Sequence, residues 1–190
     1  MMSRLPPCSR SVLSMGLIGL ITLSSLLPAP AVAAPHHEHG AHAHGRIALE
    51  VALDGPTLTI GLEAPLDSLL GFEHAPRTEA EKRAAQAVLA DLRAGAGLIV
   101  PDAAAQCQPV STTVDAPTLQ GGAAAAGEHA DLDASLVLRC ARPQALASLD
   151  LGRLLERFRR IARVEAEIVT PAGQFKAALQ RPARVLRWGR

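Results

Sequence analysis

Between Arg46 and Pro65 the chain reads RIALEVALDGPTLTIGLEAP, and this stretch limits the possible folds more than any other. Ile47, Leu49, Val51 and Leu53 alternate with Ala48, Glu50, Ala52 and Asp54. After the DGP break, Leu58, Ile60 and Leu62 take up the alternation again. Successive side chains of a strand point to opposite faces, so a period of two marks a half-buried strand. Two such runs around a turn signal predict a β-hairpin with one apolar face that the rest of the chain must cover.

The same pattern recurs downstream. From Asp131, residues Leu132, Ala134, Leu136, Leu138 and Cys140 share a face. Val164, Ala166 and Ile168 alternate, TPAG turns the chain, and Phe175, Ala177 and Leu179 return as a second hairpin. Another strand is expected over residues 107–114. Helical spacing appears twice. Thr78 and Glu81 form a T-x-x-E capping box, followed by Ala84, Val88 and Leu92 with Ala85 and Leu89 beside them, and ended by Gly95 and Gly97. A short helix over residues 149–160 would carry Leu151, Leu154, Leu155 and Phe158 on one stripe. LDSLLGFEHAP reads as a loop or short turn. The expected class is α+β: a largely antiparallel sheet of two hairpins plus additional strands, with one or two packed helices. Residues 46–190 would form a single domain interrupted by a low-complexity loop at 115–128.

Composition narrows the functions. Hydrophobic residues make up 48% of the chain but aromatics only 2%, with no tyrosine, so the core is built of Ala, Leu, Val and Ile. Few aromatics and a formal charge of +1 speak against nucleic acid as a partner, since nothing stacks bases or draws in a phosphate backbone. Residues 1–33 read as a cleaved secretory signal. Arg4 and Arg10 precede a largely apolar run from Val12 to Leu27, and small residues follow. That run is shorter than the ~20 residues a spanning helix needs, so no membrane insertion is expected after cleavage. Removing Arg4 and Arg10 leaves 17 basic against 18 acidic side chains.

Cleavage also leaves two cysteines, Cys107 and Cys140. An even pair in an exported chain reads as a disulfide. The alternative, two zinc thiolates, is usually signalled by close pairs such as C-x-x-C, which the chain lacks.

Residues 34–45 form a polar, glycine-broken tail that contains HHEHGAHAHG, with His36, His37, His39, His42 and His44. Imidazole nitrogens ligate Zn2+, Cu2+ and Ni2+. In an extended chain His37 and His39 point the same way, as do His42 and His44, so each pair can pinch an ion. The alternative is a solvated tail with no ligand. An amino-terminal Cu2+ nest needs an amide N–H at the second position. Cleavage after Ala33 would place Pro35 there, which has none. His74 follows Glu73, and His129 stands two residues before Asp131. With the tail, His74, His129 and Asp131 complete a dispersed set of candidate metal ligands. No catalytic motif is visible: HEHGA lacks the second histidine of H-E-x-x-H, and there is no G-x-S-x-G. The chain therefore reads as a binding protein, not an enzyme. The competing reading is an envelope interaction module that docks an acidic partner through Arg153, Arg157, Arg159, Arg160 and Arg163.

Together these blocks resemble a known family. The His run leads into IALEVALDGPTLTIGLEAP, then LLGFEHAPRTEAEK, a cysteine, EHADLDASLVLRC and a closing VEAEIVTPAGQFKAAL hairpin. This looks like the ZrgA-type family of zinc-regulated periplasmic proteins. The resemblance implies a periplasmic zinc-binding accessory protein made under zinc limitation, working beside a zinc transporter of the ABC or a related type. Such proteins often carry a long His/Asp-rich insertion before the second cysteine block. Here LQGGAAAAGEHAD, with one histidine, holds that place.

Overall fold

The computed structural model describes residues 44–95, 97–121 and 130–189. The expected signal peptide, His36, His37, His39, His42 and His129, and the second half of the low-complexity loop lie outside the described residues.

The first hairpin forms as its alternation requires. Strand β1 is Arg46–Asp54 and β2 is Thr57–Pro65, paired antiparallel with Asp54 opposite Thr57. Helix α1, Leu66–Leu70, follows directly, in a stretch expected to be a loop or short turn. Its Leu66 and Leu69 are buried, so tertiary packing, not propensity, holds this single turn. Helix α2 is Glu79–Ala94. It begins at the predicted capping box: Glu81 N–H donates to Thr78 Oγ1 at 3.2 Å, and Thr78 N–H donates to Glu81 Oε2 at 3.0 Å. Ala85, Val88, Leu89 and Leu92 face the core, whereas Ala84, expected on the same stripe, is exposed. On a helix of 3.6 residues per turn Ala84 stands about 40° beyond Val88, just outside the arc that Ala85, Val88, Leu89 and Leu92 span.

Strand β3 is Val100–Pro101, β4 is Cys107–Asp115 and β5 is Asp131–Cys140. The expected helix over 149–160 is divided: Ser148–Asp150 is strand β6, and helix α3 covers only Gly152–Arg157. Strand pairing takes the first residues because β6 lies between β3 and β9, Val185–Arg187. The second hairpin is β7, Arg163–Thr170, with β8, Gly173–Gln180.

Six strands form one sheet in the order β4-β5-β2-β1-β7-β8, and β3-β6-β9 form a small second sheet. All neighbours in the large sheet are antiparallel except β1 and β7, which pair parallel and join the two hairpins. The chain is thus α+β with strands predominant. One face of the large sheet is apolar. Ile47, Leu49, Leu58, Ile60, Leu132 and Val164 lie on it and share one core with Leu92, Leu154, Phe158, Leu149 and Trp188 from the other elements. The opposite face carries Ala, Gly, Thr, Ser and charged side chains. Cys107 stands directly opposite Cys140, and the two are bonded, which ties edge strand β4 to β5.

Candidate functional site

The strand registers build a charged surface that no single segment contains. On the polar face, Asp115, Asp133 and Glu63 stand opposite one another on β4, β5 and β2, and Ala48 of β1 continues the row. Neighbouring strands lie about 4.8 Å apart, so three carboxylates follow one another at that spacing. Glu50 stands one pair further along, opposite Gly61. With no side chain there, the Glu50 carboxylate leans across: its Oε2 lies 3.8 Å from where a Cβ on Gly61 would be. These residues line a shallow trough of about 480 Å3 with Thr59, Thr113 and Ser135. Among the described residues no Lys, Arg or His forms an ion pair with Glu50, Glu63, Asp115 or Asp133. Partial burial, then the charges of Glu63, Asp115 and Glu50, push the Asp133 carboxyl above the ordinary aspartate value.

The row lies toward the end of the sheet where β1 begins, two residues after His44. His44 is the one member of the His run among the described residues. Its Nδ1 lies 2.9 Å from Asp67 Oδ2 on α1. Gly45 N–H donates to Ser68 Oγ, and Gly45 O accepts from the N–H groups of Ala162 and Arg163. Ser68 in turn donates to Arg46 O, which accounts for a fully buried serine.

The other predicted ligands are placed separately. His74 lies between α1 and α2, its ring stacked on Phe72 at 5.0 Å between centroids and its Nδ1 3.0 Å from Ala75 O. Asp131 opens β5 opposite Pro65, on the same face as Asp133 and one pair nearer the sheet end. Among the described residues, no three His, Cys, Asp or Glu side chains gather closely enough to cage a metal ion. Of the five clustered arginines, Arg157 pairs with Asp91, Arg160 with Asp67 and Arg163 with Glu165.

Sequence reasoning did not single out Asp67, Glu50, Glu63 or Asp115. A signal existed for two of them. The two-residue turn at Gly55 and Pro56 implies that Glu63 faces Ala48 and that Glu50 faces Gly61, on the outward side. The partners on β4 and β5 come from distant pairing and left no such trace.

Residues 41–188 match a described family, the ZrgA family zinc uptake protein. The chain belongs to the ZrgA family. A comparison with curated proteins found no match. Membership in a zinc uptake family gives the chain a function related to zinc uptake. It also points to the periplasm. No helix among the described residues is long and apolar enough to cross a membrane.

Proposed function

We propose that this protein captures Zn2+ in the periplasm and passes it to a zinc transporter of the ABC or a related type. Residues 1–33 serve as the cleaved export signal. His36, His37, His39, His42 and His44 bind the ion, and His74, His129 and Asp131 are secondary ligands. The observation that carries the reading is the family match over residues 41–188, which takes in His42 and His44 together with the sheet. The unneutralised carboxylates support it, because a concave surface of one sign raises the local concentration of opposite ions. Imidazole and carboxylate ligands suit Zn2+, and weak, adaptive binding by a tail suits a cargo that must leave again. Cu2+ and Ni2+ are the competing ions for such ligands.

Calorimetric titration with Zn2+ tests this on the chain from Ala34, beside a version with His36, His37, His39 and His42 replaced by alanine. The expected result is binding by the first and at least a tenfold weaker affinity in the second. Binding should also fade as pH falls through the imidazole range near ~6.5, because protons compete for the ligand nitrogens. Equal affinity in the two proteins would remove the tail from the mechanism.

A further inference from the structure

The geometry points to His44 as a preorganised zinc ligand, with Asp67 as its positioning residue; this rests on the zinc-capture reading above. A carboxylate can only accept hydrogen bonds, so the 2.9 Å contact makes His44 Nδ1 the protonated nitrogen. The lone pair is then on Nε2. Among the described residues Nε2 has no hydrogen-bond partner, and the His44 side chain is 76% exposed. An unheld imidazole exchanges between tautomers. One hydrogen-bonded to a carboxylate through one nitrogen presents the lone pair of the other in a fixed direction, the usual outer-shell arrangement of metal-binding histidines.

Asp67 is itself held for this task. Its side chain is only 14% exposed. Arg160 Nη2 donates to Oδ1 at 3.2 Å, while Arg160 Nε donates to the Asp67 backbone carbonyl at 3.0 Å. One carboxylate oxygen serves Arg160 and the other serves His44, so Asp67 acts on an ion through His44 and not as a ligand. The backbone after His44 is equally constrained. Gly45 has φ +78°, and a Cβ there would stand 2.8 Å from Arg160 O, so only glycine lets the chain pass this close to the loop after α3. Gly45 is further fixed by three hydrogen bonds, to Ser68, Ala162 and Arg163. An ion that meets His44 first therefore meets a ligand whose ordering cost is already met by the fold. His74 differs in that a neutral backbone carbonyl, one residue away, holds its Nδ1. The role of Arg160 is correspondingly internal, which removes it from the docking patch that the arginine cluster suggested.

The test uses the whole chain from Ala34. In the zinc-free protein, long-range proton–nitrogen NMR should find His44 protonated at Nδ1, and the Asp67→Asn variant should show a tautomer mixture. By calorimetry Asp67→Asn should weaken Zn2+ binding about tenfold or more. In a His44→Ala background the same substitution should change affinity less than twofold. A His44 protonated at Nε2 in the unsubstituted protein overturns the proposal and needs no variant to fold. So does an Asp67→Asn protein that binds as tightly as the original, or one that loses the same factor with His44 absent. A chain that binds no Zn2+ would instead refute the capture reading, and the tautomer measurement would still decide whether Asp67 orients His44.

Discussion

Glu167 and Asp133 stand on the same face of the same sheet, and their carboxyl groups are displaced in opposite directions. Glu167 on β7 faces Lys176 on β8; the 2.6 Å hydrogen bond and the lysine charge lower its pKa. Asp133 on β5 is partly buried and faces Glu63 on one side and Asp115 on the other; burial first, and then those charges, raise its pKa. The half of the sheet built from the second hairpin is neutralised pair by pair, since Glu165 likewise meets Arg163 and Arg46. The half built from β4, β5, β2 and β1 is left negative. Like charges directly opposite each other are destabilising, so the acidic half carries a cost that its neighbour avoids. A surface that attracts cations has to leave its carboxylates unpaired, and the two halves separate those demands.

The largest effect should come from releasing one side of the acidic row. Replacing Cys107 and Cys140 with serine removes the link that fastens β4, whose Asp115 supplies one of the three carboxylates. Closing a loop between cysteines 33 positions apart restricts the unfolded chain by roughly 3–4 kcal/mol in the entropy model. Thermal unfolding should show a loss of that order, and reduced wild type should melt like the double variant. Matching melting curves for oxidised wild type and the double variant would show that β5 alone holds the edge.

A smaller effect tests the row itself. Asp133→Asn should stabilise the protein at neutral pH by about 0.5 kcal/mol, a modest figure because water screens a partly exposed carboxylate. A raised pKa means that the folded chain holds the Asp133 proton more tightly than the unfolded chain does. The penalty is therefore fully present above the folded pKa and disappears as pH falls below the ordinary aspartate value. The gain from Asp133→Asn should shrink over the same window. A gain that stays constant with pH would mean that the ionised Asp133 carboxylate is not its source.

The smallest effect belongs to the neutralised half. Lys176→Ala should let the Glu167 carboxyl titrate closer to the ordinary glutamate value, readable by NMR, with no measurable change in melting temperature. Both groups are solvent-exposed, so the paired state shows in titration and not in stability. A clear drop in melting temperature would mean that this pair does structural work, and the contrast between the halves would have to be restated.

What the sequence determined by itself was local. Period-two alternation marked both hairpins and β5, and it named the buried side of each from Ile47 to Leu179. Thr78 and Glu81 located the start of α2 to the residue, because a capping box closes within four positions. Cys107 and Cys140, read as an even pair, predicted their own bond. Local reasoning failed where a distant partner decided the outcome. Ser148–Asp150 is a strand only because β3 and β9 flank it, and α1 is a helix only because Leu66 and Leu69 have a core to enter.

The candidate site divides in the same way. HHEHGAHAHG suggested candidate ligand chemistry from residue type and spacing alone. The attachment of His44 to Asp67, 23 residues away, and of Asp67 to Arg160, 93 residues away, was not. Nor was the row of Asp115, Asp133 and Glu63. A strand's own pattern states which face a carboxylate occupies but not which strand will lie beside it. That choice is made by the whole sheet, where covering one continuous apolar face selects the order β4-β5-β2-β1-β7-β8 and, with it, which charges meet.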